Sequence, residues 1–184
     1  MGNSLSNING NIWINNHYAI TKDDILYNLN YKEKTAKIIS IDMLFDFDPM
    51  KEEITIPRSI QFDSEEYIIT SIASKSFQDS DGSDLILPIT FPADSEIRTF
   101  ENKSLSKSSF NKVLIPPHIT TLHEKTFYIC ENLQTVEFME NCELQVIEKN
   151  AFKDSRIEKL IIPSTVLELQ DGWCSGLYRL TNVQ

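Results

Sequence analysis

The sequence predicts an α/β solenoid of about five repeats of 23–24 residues, with an N-terminal β-hairpin as its cap. Three features predict this fold: short extended runs return at a nearly constant interval, a proline follows most of them, and a spaced apolar pair comes later in each unit. Repetition at a period of about 20–50 residues is typical of proteins in which equivalent units stack and bury one continuous core.

Composition limits the kind of protein this chain can be. The 184 residues suit one domain, and 41% of them are hydrophobic, which is enough for a packed core. The formal net charge of -10 argues against nucleic acid as a partner, because phosphate binding needs a basic surface. The same charge argues against unaided attachment to an anionic membrane.

Location is predicted from targeting signals and cysteines. No apolar run approaches the length of a membrane span, and no basic region followed by an apolar stretch begins the chain, so the sequence predicts a cytoplasmic protein. The three cysteines, Cys130, Cys142 and Cys174, are too few and too scattered for a disulfide framework or a zinc site. Free thiols fit a reducing interior.

Three regions follow one another along the chain. Residues 1–24 are rich in asparagine and are predicted to form a flexible tail. Residues 25–53 are predicted to form the capping hairpin and a loop, because Tyr27 and Leu29 alternate with polar residues ahead of a charged turn. Residues 54–184 are predicted to form the solenoid itself.

Each predicted repeat begins with a short strand. Within such a run, Val113 and Ile115 point to one side and Leu114 to the other. Proline usually ends the strand three residues after its start, because it has no N–H for the ladder, although Met139 takes this place once. The runs start at six positions, separated by 35, 24, 23, 24 and 23 residues: Ile54, Ile89, Val113, Val136, Leu160 and Val183.

A short helical segment is predicted later in each repeat, and it is the reason for the α/β class. Segments such as HEKTFYIC (123–130) and EKNAFKDS (148–155) are interpreted as helices that pack on the strands. Each segment lies around a pair of apolar residues five positions apart: Ile72/Phe77, Phe100/Leu105, Leu122/Phe127, Ile147/Phe152 and Leu169/Cys174.

Residues 54–184 resemble the BspA-like class of leucine-rich repeat proteins, a family of surface-antigen-like proteins of protists and bacteria. The stretches that carry the resemblance are VLIPPHITTLHEKTFYICENLQTV (113–136), VIEKNAFKDSRIEKL (146–160) and LIIPSTVLELQDGWCSGLYRLTNV (160–183). Leu105 and Cys174 stand where the family has an aromatic residue. The resemblance implies a leucine-rich repeat solenoid, a protein ligand, and a role in adhesion at the cell surface.

No catalytic constellation is predicted. The chain has neither a Ser-His-Asp set nor a Cys-His set, and its five glycines form no phosphate-binding loop, so we expect no enzyme and no cofactor. Metal binding is not expected either. A weak calcium candidate comprises Asp79, Asp81 and Asp84 around Gly82, but this stretch lacks the late glutamate of a calcium loop and is interpreted as a polar turn.

The first residues, MGNSLS, match the pattern for N-myristoylation at Gly2. A single acyl chain binds membranes only marginally, and no basic cluster or cysteine nearby supplies a second signal. Membrane association is therefore expected only if Gly2 is acylated.

The strand face is the predicted binding surface. Outward positions of successive strands would form a row along the concave side of the solenoid, where partners commonly bind. Leu114 and Ile161 are apolar there, and apolar side chains rimmed by charge often mark an interaction surface; scattered surface residues are the other interpretation. The predicted row is Thr55, Thr90, Leu114, Glu137 and Ile161.

Three functions remain open at this point. The first is a protein-binding module in adhesion at the cell surface, and the second is an intracellular scaffold that uses the same strand face. The third is a structural unit that self-associates, because no polar cap follows the last strand and Leu180 and Val183 would be exposed there.

Overall fold

The structure is a computed structural model that describes residues 7–8, 11–15, 18–20, 25–41, 52–78 and 87–183. Within these ranges the chain forms short strands that return once per circuit, and each circuit is called a rung below. The strands are β1 (Asn7–Ile8), β2 (Asn11–Asn15), β3 (Tyr18–Ile20), β4 (Ile25–Asn30), β5 (Thr35–Ile41), β6 (Ile54–Thr55), β7 (Ser59–Phe62), β8 (Glu65–Ile72), β9 (Ile89–Thr90), β10 (Thr99–Phe100), β11 (Lys112–Ile115), β12 (Thr121–Leu122), β13 (Thr135–Phe138), β14 (Val146–Ile147), β15 (Lys159–Leu160), β16 (Glu168–Leu169) and β17 (Asn182–Val183).

One parallel sheet contains every predicted strand start. Its strands lie in the order β17-β15-β13-β11-β9-β6, so sequence neighbours in the repeat are also spatial neighbours. The register pairs the six predicted starts in one line across the sheet, from Ile54 with Ile89 to Leu160 with Val183. Side chains alternate between the two faces of a strand. The aligned residues from Ile54 to Leu160 are therefore all buried against the core.

The first residue of each predicted apolar pair lies in a second sheet. The parallel strands β8, β10, β12, β14 and β16 align Ile72, Phe100, Leu122, Ile147 and Leu169. The first four of these side chains are fully buried, whereas Leu169 on the last rung is 47% exposed. The two sheets face each other across a core that also contains aromatic pairs, such as Phe127 and Phe152, whose stacked rings lie 5.2 Å apart.

The predicted helical segments are wrong. The described residues contain no helix, so this part of the chain is a β-solenoid and the α/β class is corrected. Each segment is a series of turns in which the backbone enters the left-handed region, which an α-helix cannot contain. The residues at this point have φ between 57° and 68°: Lys75, Lys103, Lys125, Asn150 and Gly172.

Backbone hydrogen bonds in these turns run to the next rung instead of along a helix. The Phe127 N–H donates to Ala151 O over 2.7 Å, and the Phe152 N–H donates to Trp173 O over 2.9 Å. Buried backbone N–H groups need partners, and the neighbouring rung supplies them. The turns therefore form a third hydrogen-bonded side of the solenoid.

The predicted hairpin is present as β4 and β5, joined by a turn over residues 31–34. Strand β5 pairs in parallel with β8, with Ile38 opposite Ile72, so the hairpin continues the second sheet at its N-terminal end. The described residues of the predicted flexible tail form β1, β2 and β3, which pair antiparallel in series outside the hairpin. The division into a tail, a capping region and a solenoid stays a prediction.

Candidate functional site

The five residues of the predicted binding row lie side by side on the outer face of the six-stranded sheet. Thr55 pairs with Thr90, and Leu114 pairs with Glu137. Because Ile89 pairs with Val113 and Val136 with Leu160, Thr90 neighbours Leu114, and Ile161 neighbours Glu137. None of the five side chains is buried, and Ile161 is 49% exposed.

Polar contacts connect the row to its flanks. The Thr55 hydroxyl donates to Glu53 Oε1 over 3.1 Å and lies 3.2 Å from the Thr90 hydroxyl. Since Thr55 has a single hydroxyl proton, Thr90 donates in the second contact. Lys112 Nζ lies 2.7 Å from Glu137 Oε2, which fixes the carboxylate at the centre of the sheet. Leu114 lies between the Thr55–Thr90 contact and Glu137, and Ile161 lies on the far side of Glu137.

A groove of about 610 Å³ runs along β13 and β15 and the turns that follow them. The predicted residues Glu137 and Ile161 both line it. Its other lining side chains include Phe138, Met139, Cys142 and Lys159. The groove thus combines an apolar surface with one carboxylate and one ammonium group, and it is large enough for a few side chains of a partner.

Sequence reasoning missed the groove. Lys112 and Lys159 lie two residues before row positions 114 and 161, so period-2 alternation places them on the same face and could have identified them. In the sequence pattern, Met139 only takes the place of the proline that ends most of the strands. In the structure it is half-buried and lines the groove, which is a role that its position in the repeat does not reveal.

The thiols near this surface are not activated nucleophiles. Burial raises the pKa of the Cys142 thiol above its ordinary value, and it raises the pKa of Cys130, beneath the turns, to about 11. A reactive cysteine needs a lowered pKa, because the thiolate is the nucleophile. The Cys142 thiol in the groove therefore lacks the lowered pKa of a nucleophilic cysteine.

His118 and His123 each contact a glutamate side chain on the neighbouring rung. His118 Nδ1 lies 2.9 Å from Glu143 Oε1, and His123 Nδ1 lies 3.2 Å from Glu148 Oε1. Among the described residues, no group of three or more His, Cys, Asp or Glu side chains could hold a metal ion. We therefore interpret these pairs as structural contacts between rungs.

Two of the predicted sites lie outside the described residues. They are the weak calcium candidate, Asp79, Asp81 and Asp84, and the myristoylation candidate, Gly2. In the part of the chain that is described, no helix has the length and apolar character needed to cross a membrane.

Several solved structures of bacterial proteins share this architecture. A leucine-rich repeat protein from Bacteroides ovatus is similar over 87% of this chain and 39% of its own, with a TM-score of 0.71 and 20% identity. The pneumococcal vaccine antigen PcpA is similar over 98% of this chain and 49% of its own, with a TM-score of 0.64 and 18% identity. The chain thus spans less than half of either protein, and identities this low establish the fold alone.

A third structure, a leucine-rich repeat protein from Bacteroides capillosus, covers 91% of this chain with a TM-score of 0.52 and 19% identity. No curated protein is significantly similar to the sequence. The sequence model of the family described as BspA type leucine rich repeat region matches residues 52–180 in six copies, one more than the approximate number predicted above. This match covers most of the chain, which therefore belongs to the BspA type leucine-rich repeat family.

Proposed function

We propose that this chain is a non-enzymatic protein-binding module, and that its partner contacts the row from Thr55 to Ile161. The observation that carries the proposal is the groove beside this row, in which half-exposed apolar side chains lie next to Glu137 and Lys159. Protein interfaces combine an apolar centre with polar groups at the edge, and this groove has both. Membership of a leucine-rich repeat family supports a binding role rather than catalysis.

Photo-crosslinking in native cells tests the assignment of this face. A photoreactive amino acid at position 114 or 161 should form a covalent adduct with the same protein, whereas the same probe at exposed Glu131 should not. Adducts only from position 131, or different adducts from 114 and 161, would contradict the proposal.

Substitution gives an independent test. Leu114→Lys with Ile161→Lys places two charges in the apolar part of the row and should abolish recovery of the crosslinked partner. The melting curve should stay unchanged, because neither side chain belongs to the buried core. Recovery of the partner at the wild-type level by this folded variant would rule out the strand face.

We further propose that the module acts at a cell surface, in adhesion or host contact. One structure of the same fold is a vaccine antigen, which supports this location. Protease treatment of intact native cells, followed by a blot, tests it. Loss of the protein supports surface display, while a protein that survives until lysis supports the intracellular scaffold instead.

A second candidate function is self-assembly through the last rung, and specific exposures favour it. Leu167 is 82% exposed, Tyr178 is 94% exposed, and Leu169 is only half covered. Strands β16 and β17 each have one neighbouring strand within the described residues, and a strand edge without a partner is a template for pairing with another chain. Sedimentation across a range of concentrations tests this function. Concentration-dependent association that Leu169→Lys abolishes would support it, and a monomer at all concentrations would exclude it.

The apolar side chains at the N-terminal end of the solenoid are covered instead of exposed, and we propose that the β4–β5 hairpin caps this end. Tyr27, Leu29, Ala36 and Ile38 are buried there, and β5 occupies the edge of β8 that would otherwise be free. A cap of this kind is what the end of a repeat array needs.

A further inference from the structure

A three-residue pattern in the turns has no part in the binding proposed above. Asn102-Lys103-Ser104 is the single Asn-x-Ser/Thr sequence in the chain. This pattern is the acceptor for N-linked glycans on exported proteins, where the transferase recognises the asparagine together with the hydroxyl two residues later. Two observations on the folded chain distinguish it from a chance occurrence: the surface position of the asparagine and the isolation of the hydroxyl.

Asn102 lies on the surface, at the start of the turns that follow β10. Its side chain is exposed, whereas Glu124, at the same place on the next rung, is partly buried. A glycan is bulky and polar, and at an exposed position it extends into solvent without displacing a packed side chain. Asn102 follows a strand of the second sheet, while the row from Thr55 to Ile161 belongs to the other sheet, so the two sites lie on different sides of the solenoid.

The hydroxyl of Ser104 is fully buried but has no hydrogen-bond partner among the described residues. The hydroxyls at the same place on the two neighbouring rungs each have one. Ser76 Oγ donates to Ala73 O over 2.7 Å, and Thr126 Oγ1 donates to His123 O over 2.8 Å. The Ser104 hydroxyl therefore lacks the contact by which its equivalents stabilise the turn.

A hydroxyl at this place is not needed for packing. Ala151 occupies the same place two rungs later and is fully buried. A buried hydroxyl without a partner costs free energy that alanine would not, so the serine at 104 serves a step outside the folded state. We propose that Asn102 is N-glycosylated during export, before this rung folds. The inference rests on the proposed display at a cell surface, because exported chains are the ones that meet the glycan donor.

The reaction joins the Asn102 side chain to the sugar of a lipid-linked oligosaccharide. The amide nitrogen Nδ2 forms a bond to the anomeric carbon, and the bond from that carbon to the lipid pyrophosphate breaks. The pyrophosphate leaves with the bonding electrons, the amide nitrogen loses one proton to a base of the transferase, and nothing is oxidised or reduced. The folded turn is not the substrate, because Ser104 is buried there and the Lys103 N–H donates to Glu124 O over 3.1 Å.

Mass spectrometry of the protein purified from native cells tests the inference. Peptide-N-glycosidase in water enriched with heavy oxygen should convert Asn102 to labelled aspartate and lower the mass of the intact chain. An unmodified Asn102 in the native protein overturns the inference. Protease treatment of intact cells shows whether the proposed surface display fails with it, because a displayed protein with an unmodified Asn102 contradicts the glycan alone.

Two matched variants, each of which removes one buried hydroxyl, test the role of Ser104. Ser76→Ala should lower the melting temperature, because the hydrogen bond to Ala73 O is lost. Ser104→Ala should leave the melting temperature unchanged or raise it. An equal fall in both variants would show that the fold requires the Ser104 hydroxyl, and it would overturn the inference.

The same variants separate the acceptor pattern from the fold when the full chain, with an export signal added, is secreted from a glycosylating host. The wild type and Ser104→Thr should carry a glycan at Asn102, since threonine also completes the pattern and Thr126 shows that the turn accepts it. Ser104→Ala and Asn102→Gln should carry none. A glycan at Asn102 in Ser104→Ala, or none in the wild type, would contradict the proposed site.

Discussion

The inner rungs and the last rung of this solenoid carry the same repeat but bury it differently. Ile147 on β14 is fully buried, whereas Leu169, at the same register one rung later, is 47% exposed. Val166 and Trp173 on the last rung are likewise only partly buried. An apolar side chain of the repeat is thus fully buried only where a neighbouring rung packs on each side of it.

The sharpest test of this comparison is truncation of a buried side chain on an inner rung and of an exposed side chain on the last rung. Phe127→Ala should reduce the free energy of unfolding by about 3–5 kcal/mol, because it removes a fully buried ring that stacks on Phe152. Tyr178→Ala, at a side chain that is 94% exposed, should change it by less than about 0.5 kcal/mol. Urea denaturation of both variants measures the difference, and equal losses would mean that the last rung is as well covered as the inner ones.

A smaller change in stability is expected from substitution of a glycine in the turns. The sign of this change distinguishes the turns of a β-solenoid from the predicted helices. Gly176 has φ of 75°, and a Cβ there would overlap Asp154 Oδ1. Gly176→Ala should destabilise the protein by about 1–2 kcal/mol, because the left-handed conformation is unfavourable for alanine. In a helix the same change would stabilise by up to about 1 kcal/mol.

Gly172→Ala provides the comparison within the same rung. Its φ is 68°, but the nearest atoms to an added Cβ are the Ser175 Oγ at 3.1 Å and the Asn150 Oδ1 at 3.3 Å, so less has to move. Its loss of thermal stability should be smaller than that of Gly176→Ala. A gain in melting temperature for either variant would contradict the turn geometry.

Acid should weaken the inner rungs more than the last rung. The Ser74 N–H donates to Glu101 Oε2 over 3.0 Å, and Lys37 Nζ lies 2.6 Å from Glu101 Oε1. Burial acts to raise the pKa of Glu101, but these hydrogen bonds outweigh it and hold the pKa below its ordinary value. A carboxylate with a lowered folded-state pKa stabilises the fold fully above its unfolded-state pKa, near 4.3, and loses this contribution as pH falls towards the folded-state value.

On the last rung, Gln170 replaces the carboxylate and accepts the Lys149 N–H over 3.2 Å. Glu101→Gln should therefore flatten the loss of stability below about pH 4.3, whereas Gln170→Ala should lower stability equally at every pH. Chemical denaturation at a series of pH values measures both slopes. If the free energy of unfolding of Glu101→Gln falls with acid as steeply as that of the wild type, Glu101 is not a cause of the acid sensitivity.

The smallest effect is expected on the strand face. Lys112 and Glu137 form an ion pair at 2.7 Å, but about half of each side chain is exposed. Exposed pairs contribute roughly 0–1 kcal/mol to stability, so a double-mutant cycle with alanine at both positions should give a coupling energy below about 1 kcal/mol. A larger coupling would show that this face, like the inner rungs, contributes substantially to the stability of the fold.

The strands could be predicted from the sequence because two rules agree there. Alternation fixed which residues face the core, and the period fixed the register, so the line from Ile54 to Val183 and the row from Thr55 to Ile161 followed from the same pattern. The hairpin at β4 and β5 followed from alternation alone.

The turns and the groove could not be predicted, for different reasons. Lys75, Lys103 and Lys125 are good helix formers, and the sequence around them does not show that the next rung holds their backbone in the left-handed region. Only Asn150 and Gly172 are residue types that favour this region. The groove depends on how the turns after β13 and β15 pack beside the sheet, which is a property of the stacked array.

The hydrogen bonds between rungs, such as that from the Asp154 N–H to Ser175 O at 2.9 Å, also determine how the molecule responds to force. They run along the stacking axis, so tension applied along that axis loads one layer of bonds at a time and peels the protein from its least covered end. Tension applied across the axis loads many rungs together in shear.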